Sequence, residues 1–333
     1  MFGIIGNGSW ATALAKMLTD NGNKIYWWMR SETSVTHLLQ KRHNAQYLTS
    51  VSFDSDKIIP TTDINALFQH CDTILICVPS AFVLEVLGQL PNDAFNNKII
   101  VSAIKGIIPQ QHVLLNDYLA ANFNISLDQY VAITGPCHAE EVAQERLSYL
   151  TFSGLDEKTT ALAAQSFCTD YIRTTANHDL WGAQYAAVLK NIYAVGAGIA
   201  HGLGYGDNFL SVYITNCYRE MYRFLQIQFE QVHPSNEIPD FHTSAYLGDL
   251  LVTAYSPHSR NRSFGTLLGK GYSVKAATTE MSMVAEGYFA VRGMKKIAAK
   301  LNIDMPIMQQ IHAVLWEQKL MSEAFAEIEC LLS

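Results

Sequence analysis

Short apolar runs alternate with helix-length segments of mixed polarity over roughly the first half of the chain. Runs rich in Val, Ile and aromatic residues predict β-strands. They are FGIIG from Phe2, residues 24–29, a weak strand near Ile58, and residues 73–78, 98–103, 130–134, 148–153 and 171–175. Strands that alternate with helices predict a parallel sheet, and apolar runs such as TILICV are typical of strands covered on both faces. We therefore predict a doubly wound α/β fold.

The pattern changes after His178. Trp181, Tyr185, Leu189 and Ile192 recur at helical spacing, and the remaining chain consists mostly of amphipathic helix-length segments. We predict a first domain of residues 1–178 and an all-α second domain of residues 179–333.

Composition narrows the classes of protein. With 333 residues, 49% hydrophobic and 16% charged side chains, the chain can bury a large core, which excludes disorder and coiled coil. A formal net charge of -7 disfavours nucleic acid and anionic membranes as partners. No signal peptide or membrane span is recognisable, so we expect a cytoplasmic protein without integral membrane association.

The six cysteines show no CxxC pair and no repeated spacing of the kind that metal ligands have. Most of them lie in apolar runs. We therefore predict reduced, buried thiols and no metal site.

A glycine motif opens the chain. In IIGNGSWATALAKMLTDNG, Gly6, Gly8 and Ala11 form a GxGxxA pattern after a predicted strand and at the start of a helix that ends at Asn21-Gly22. The first glycine permits a tight turn, the second lets backbone N–H groups approach a pyrophosphate, and the small third residue allows close helix packing. This context predicts a dinucleotide-binding Rossmann domain.

The end of the second predicted strand bears on the choice of dinucleotide. An acidic residue there usually binds the ribose 2′-hydroxyl of NAD, but this chain has Arg30. A guanidinium pairs well with the 2′-phosphate of NADP, which favours NADP as the cofactor. Glu32 lies two residues further on and could still bind a ribose, so NAD remains the alternative.

Two further strands end in turns that carry polar groups. Lys105 in AIKGI and Gly135 in TGPCHAEEVA should lie at the carboxyl edge of the sheet, where ligands bind in open α/β folds. Cys137 and His138 follow Gly135, but no Cys/His arrangement indicates a covalent step.

Lys190 lies in an almost uncharged helical segment, AAVLKNIYAVGAGIA. A lysine there must snorkel, find an acid or face a cavity, and desolvation lowers its pKa. It is therefore a candidate general acid or base, with a structural ion pair as the alternative.

A polar cluster follows further along the chain. Asp249 lies among apolar residues in LGDLLVT, and SRNRSFGTLLGKG begins ten residues later. Its polar and basic side chains form the local cationic site that an acidic protein would need for a phosphate, with a solvated basic loop as the alternative. They are Ser259, Arg260, Asn261, Arg262 and Lys270.

Together the motifs resemble those of the NAD(P)-dependent glycerol-3-phosphate dehydrogenases, especially the bacterial type. The resemblance runs through GNGSWATALA, NAQYL, VPS, IKG, GPCHAEE, LKNIYAVGAG, GLGYGDN, LGDLLVT, SRNRSFG and VAEGY, in the family's order. It implies a homodimer with a Rossmann domain and a helical substrate domain. Its activity would interconvert dihydroxyacetone phosphate and sn-glycerol 3-phosphate for phospholipid synthesis.

The resemblance also implies roles for individual residues. Lys190 would be the proton donor and acceptor, Lys105 would add electrostatic stabilisation, and Asp249 would orient or tune Lys190. The substrate would bind Lys105, Gly135, Cys137, Lys190, Asp249, Ser259, Arg260 and Asn261. The dinucleotide would bind Gly6, Gly8, Ser9, Trp10, Arg30, Lys105, Ala139, Arg260, Val284 and Glu286.

Some positions depart from the family pattern. Cys137 stands where the family usually has Ser or Thr, Leu210 replaces a common Arg, and Asn216-Cys217 replaces a common Arg-Gly. Cys137 and Leu210 leave open a dinucleotide-sensing module that has lost catalysis. A related hydroxy-acid dehydrogenase with a helical second domain is the other alternative, because it would share the fold.

Overall fold

The computed structural model describes residues 1–232, 237–281 and 285–333. The chain forms two compact units, each with its own hydrophobic core. The first unit consists of Met1–Ile104 and Leu115–Leu180, and the second of Lys105–Leu114 and Trp181–Ser333. The sequence pattern predicts a single boundary near residue 178. Nothing in the sequence indicated that Lys105–Leu114 belongs with the second unit.

The first unit is built around an eight-stranded sheet with the order β3-β2-β1-β4-β5-β6-β7-β8. The strands are β1 (Phe2–Ile5), β2 (Ile25–Trp28), β3 (Ile58–Thr61), β4 (Thr73–Ile76), β5 (Ile99–Ser102), β6 (Tyr130–Thr134), β7 (Ser148–Gly154) and β8 (Ile172–Asn177). Each predicted strand is confirmed to within a few residues. The order reverses between β1 and β4, which is the switch point at which ligands bind in such sheets.

The prediction of a parallel sheet is wrong for one pair. Strand β7 runs antiparallel to β6, with Val131 opposite Gly154, whereas every other pair is parallel. The connection between β6 and β7 is long enough for a parallel crossover, so its length does not reveal the direction.

Seven helices accompany these strands in the first unit. They are α1 (Ser9–Asp20), α2 (Glu32–Lys41), α3 (Ile64–His70), α4 (Val83–Leu87), α5 (Leu115–Phe123), α6 (Ala139–Ala143) and α7 (Glu157–Phe167). Helix α1 ends at Asp20 and Asn21 is its C-cap, which agrees with the end predicted from the Asn-Gly pair.

The described residues of the second unit are mainly helical, which confirms the predicted helical region. The helices are α8 (Leu180–Leu203), α9 (Asp207–Val232), α10 (Asp249–Tyr255), α11 (Arg260–Gly269), α12 (Val274–Glu280), α13 (Glu286–Lys300), α14 (Pro306–Trp316) and α15 (Met321–Leu331). Helix α8 is almost entirely buried, because its sequence is apolar on all sides. A π-helical turn, Ser244–Gly248, leads directly into α10.

The cysteines are all free, but the prediction that they are buried holds only in part. Cys71, Cys137 and Cys217 are buried, whereas Cys168 and Cys330 are exposed. Cys168 follows the last residue of α7 and Cys330 lies in the last turn of α15, where an apolar run does not guarantee a core position. In the part of the chain that the structure describes, no helix has the length and apolarity needed to cross a bilayer.

Candidate functional site

The glycine turn after β1 lies at the switch point of the sheet. Gly6 has a φ of 122°, and a Cβ atom there would lie 2.5 Å from the carbonyl oxygen of Cys77. The indole Nε1 of Trp27 donates to the Gly6 carbonyl at 2.7 Å. The turn after β1 is therefore packed tightly against Cys77, which follows β4, and is held by a hydrogen bond from Trp27 of β2.

Gly8 has a different environment. It is the N-cap of α1, and apart from its two neighbours in the chain a Cβ atom built on it would meet nothing within 4 Å. The open space in front of a helix N-terminus suits a pyrophosphate, because the first N–H groups of a helix have no hydrogen-bond acceptor within the helix. Ser9 and Ala11 are buried behind it, and Trp10 is half-buried. The residues present therefore suit a dinucleotide.

A second glycine turn follows β6 in the first unit. Gly135 has a φ of 109°, and a Cβ atom there would lie 2.9 Å from the Tyr149 carbonyl oxygen. Cys137 is buried, His138 is the N-cap of α6, and buried Ala139 begins that helix. Because β1, β4, β5 and β6 are parallel neighbours, this turn follows the same edge of the sheet as the Gly6 turn.

The side chains after β2 differ in how firmly they are held. The Arg30 side chain is 72% exposed and donates to Glu85 Oε1 at 3.1 Å. Glu32 begins α2 and accepts a hydrogen bond from the Thr62 hydroxyl. Exposed ion pairs are weak, so Arg30 can exchange Glu85 for a phosphate at low cost.

The buried centre of the second unit is an ion pair between Lys190 and Asp249. Lys190 also donates to the Thr253 hydroxyl at 3.0 Å, and Lys105 Nζ lies 3.7 Å from Asp249 Oδ2. Burial lowers the pKa of Lys190 to about 7, against the opposing effect of Asp249 and with a further lowering by Lys105. Lys190 can therefore take up or release a proton near neutral pH.

Local structure explains why these side chains converge. Asp249 and Thr253 are four residues apart on α10 and so share one face, and the Thr253 hydroxyl donates to the Asp249 carbonyl at 2.6 Å. Asn191, next to Lys190, donates to the Lys105 carbonyl at 3.0 Å. Sequence reasoning missed Thr253 and Asn191, although the four-residue spacing from Asp249 was visible in LGDLLVT.

The basic segment forms the start of α11. Ser259 is its N-cap and accepts from the Arg262 N–H at 3.3 Å, and half-buried Arg260 is its first residue. Asn261 Oδ1 accepts from the Gly287 N–H at 2.9 Å, which links α11 to the first turn of α13. A helix N-terminus with a guanidinium beside it is suited to an anion.

The same helix corrects one prediction. Lys270 follows the last residue of α11, whereas Arg260 begins it. A helix of this length spans about 15 Å, so Lys270 does not belong to the cluster at its start.

The other predicted positions are less informative. Glu286 begins α13, while Val284 lies outside the described residues. Leu210 and Cys217 are core residues of the second unit, and Asn216 donates to the Val212 carbonyl one turn earlier on α9. Among the described residues, no group of His, Cys, Asp and Glu side chains is arranged to hold a metal ion.

Comparison with known proteins identifies the family. Residues 2–160 match the model of the NAD-dependent glycerol-3-phosphate dehydrogenase N-terminus, and residues 179–326 match that of its C-terminus. The glycerol-3-phosphate dehydrogenase [NAD(P)+] of Pediococcus pentosaceus is 34% identical over 329 residues, which cover 98% of this chain and 95% of the relative. The chain belongs to the NAD-dependent glycerol-3-phosphate dehydrogenase family.

Other members of the glycerol-3-phosphate dehydrogenase family agree with this assignment. The glycerol-3-phosphate dehydrogenase [NAD(P)+] of Staphylococcus carnosus is 32% identical, with 96% of this chain and 95% of the relative covered. The crystal structure of glycerol-3-phosphate dehydrogenase from Coxiella burnetii superposes with a TM-score of 0.88 at 27% identity, covering 98% of each chain. The resemblance to the glycerol-3-phosphate dehydrogenase family is thus confirmed, as is the predicted α/β fold class with a helical C-terminal region.

Proposed function

We propose that this chain is an oxidoreductase that interconverts dihydroxyacetone phosphate and sn-glycerol 3-phosphate with a nicotinamide dinucleotide. The observation that carries the proposal is the buried Lys190, paired with Asp249 and with a pKa near 7. Family membership supports this function over the hydroxy-acid dehydrogenase and the dinucleotide sensor.

The protein's part in the reaction is proton transfer and charge stabilisation. A bound dinucleotide would supply the hydride for ketone reduction and would accept it in alcohol oxidation. During reduction Lys190 Nζ donates a proton to the developing alkoxide, and the Lys105 ammonium stabilises the negative charge before the proton arrives. Asp249 and Thr253 hold the Lys190 ammonium in one orientation.

The start of α11 would bind the substrate phosphate. Ser259 and Asn261 supply polar groups and Arg260 supplies a guanidinium, at a helix end that favours negative charge. Asn261 also contacts Gly287, whose Cα packs against the carbonyl of Asn191. These contacts connect the phosphate site to the helix that carries Lys190, so phosphate binding orients the ketone for reaction.

The remaining assignments belong to the same proposal and are supported by the family resemblance. Gly135 and Cys137 bind the substrate. The cofactor contacts Gly6, Gly8, Ser9, Trp10, Arg30, Lys105, Ala139, Arg260, Val284 and Glu286. The chain acts as a cytoplasmic homodimer and supplies glycerophospholipid synthesis.

A spectrophotometric assay tests the activity. We expect wild-type protein to oxidise NADPH when dihydroxyacetone phosphate is added, and Lys190→Met to reduce kcat by about two to four orders of magnitude. Lys300→Met, an exposed lysine at the end of α13, is the matched control and should retain wild-type kcat. Turnover only with a keto acid would support the hydroxy-acid dehydrogenase. NADPH binding without turnover of any ketone would support the sensor.

We propose NADP as the preferred cofactor. Two observations support this preference. The Arg30 guanidinium after β2 is exposed, and the Glu32 carboxylate already accepts a hydrogen bond from the Thr62 hydroxyl. Arg30→Glu should raise the Kd of NADPH about tenfold or more and leave the Kd of NADH nearly unchanged, because only NADPH carries the 2′-phosphate. Titration of cofactor fluorescence measures both constants. Equal losses for the two cofactors would refute the role of Arg30.

A further inference from the structure

Asn44 is a buried polar residue in the loop between α2 and β3, outside the glycine motif. Only 4% of its surface is exposed. Its Nδ2 donates to the Asn7 carbonyl and to the Thr12 hydroxyl, both at 2.9 Å. Its Oδ1 accepts from the N–H groups of Gln46 at 3.0 Å and Tyr47 at 3.2 Å. One amide thus joins its own loop to the glycine turn.

The bond to Asn7 determines how one peptide plane faces. The Asn7 carbonyl and the Gly8 N–H belong to the same peptide unit, and no cis peptide occurs among the described residues. In a trans peptide the C=O and N–H vectors point in opposite directions. Because Asn44 holds the carbonyl, the Gly8 N–H points away from Asn44. A Cβ atom on Gly8 would stand in open space.

Thr12 fixes the next carbonyl along the chain, that of Gly8. Its hydroxyl accepts from Asn44 Nδ2 and donates to the Gly8 carbonyl at 3.0 Å. The Thr12 N–H also donates to the Gly8 carbonyl, at 2.9 Å. Two consecutive carbonyls of the glycine turn are therefore fixed by buried side chains before any ligand binds.

We propose that Asn44 is a positioning residue for dinucleotide binding: its amide orients the Asn7–Gly8 peptide so that the Gly8 N–H faces the pyrophosphate. This inference rests on the proposed cofactor site at the glycine turn. It adds a residue from a distant loop whose donor acts on the cofactor only through the backbone. Preorganised N–H donors strengthen anion binding because no ordering cost remains at the moment of binding.

Asn44→Asp is the sharpest test. The variant keeps an acceptor for the Gln46 and Tyr47 N–H groups but replaces the donor to the Asn7 carbonyl with a second acceptor. We expect the Kd of NADPH, NADH and ADP-ribose to rise together by about tenfold or more. The kcat and the KM for dihydroxyacetone phosphate, measured at saturating cofactor, should stay within about twofold, a split that a merely structural role would not produce.

A second pair of variants covers the case in which Asn44→Asp does not fold. Thr12→Val keeps the side-chain shape and removes the hydroxyl, so the same three Kd values should rise about three- to tenfold. Thr12→Ser keeps the hydroxyl and should bind the three ligands with wild-type Kd values. Unchanged Kd values in every folded variant would overturn the inference. So would parallel losses in kcat, substrate KM and cofactor Kd.

Gly8→Val separates this inference from the proposed function. Its side chain would occupy the open space in front of α1 and should abolish binding of all three ligands. If Gly8→Val leaves their Kd values unchanged, the proposed cofactor site is wrong. If Gly8→Val abolishes binding but the variants of Asn44 and Thr12 do not weaken it, only the positioning role is wrong.

Discussion

Gly6 and Gly8 are two residues apart and require glycine for different physical reasons. At Gly6 the backbone itself excludes a side chain, because φ is positive and the Cys77 carbonyl is too close. At Gly8 φ is -73°, which any residue adopts, and space is free. The first glycine is needed for the fold, and the second is needed only if a ligand approaches.

The two glycines should therefore separate stability from binding. We expect Gly6→Ala to lower the free energy of unfolding by about 1–3 kcal/mol, the usual cost of a strained backbone position. Gly8→Ala should leave it within about 0.5 kcal/mol and weaken NADPH binding. Urea unfolding of the cofactor-free protein and NADPH titration measure the two effects. Equal destabilisation by both substitutions would contradict this distinction.

Lys190 leads to a prediction about pH. Its pKa near 7 is caused mainly by burial, so the charged and neutral forms are both populated near neutral pH. Ketone reduction needs the ammonium as donor, and kcat for reduction should fall as pH rises through about 7. Alcohol oxidation needs the neutral amine, and its kcat should rise over the same range.

The pH profiles should be measured in both directions, with a deuterated cofactor to verify that hydride transfer limits the rate. Lys105 and Asp249 are the charged side chains that face this amine: Asp249 pairs with Lys190, and Lys105 Nζ lies 3.7 Å from Asp249 Oδ2. Profiles that rise with pH in both directions would rule out Lys190 as the proton donor.

At the scale of elements, glycines bring two helices into backbone contact. A Cβ atom on Gly198 of α8 would overlap the carbonyl oxygen of Arg262, and one on Gly265 of α11 would overlap that of Val195. Gly202 and Gly269 repeat this contact one turn further along. The close packing fixes the helix that carries Lys190 against the helix that begins with Arg260.

Gly265→Ala tests this helix contact. The added methyl group must push α11 away from α8, so we expect a loss of about 2–4 kcal/mol in the free energy of unfolding and a higher KM for dihydroxyacetone phosphate. Gly206→Ala is the matched control, since a Cβ atom there would meet nothing within 4 Å. Unfolding and initial-rate measurements decide the outcome. Similar effects of the two substitutions would show that the contact is not tight.

Elements were predictable to different degrees. The strand positions and helix α8 followed from hydrophobic periodicity. The spacing of apolar residues along a strand or helix shows whether one face or all faces are buried. The direction of β7 was not predictable, because a strand presents the same alternation in either orientation. The position of Lys270 was not predictable from its nearness to Arg260 in sequence, because the whole length of α11 separates the two residues.

At the scale of the whole molecule, the segment Lys105–Leu114 shows how sequence order and spatial grouping differ. It follows β5 of the first unit, yet it groups with the second. Asn191 binds the Lys105 carbonyl, and Ile107 packs against Gly293 of α13. Lys105 thereby reaches Asp249 from a part of the chain that sequence reasoning assigned to the Rossmann domain.

The sequence by itself determined the α/β class, the strand positions and the glycine turn, and it predicted the chemistry of Lys190, Asp249 and the Arg260 segment. These features depend on local pattern or on the intrinsic properties of a side chain, such as the cost of burying an ammonium. Only the tertiary structure decided that Thr253 and Lys105 join the Lys190–Asp249 pair and that Asn44 holds the glycine turn. These contacts join residues far apart along the chain, and only folding brings their polar groups within hydrogen-bonding or ion-pairing distance.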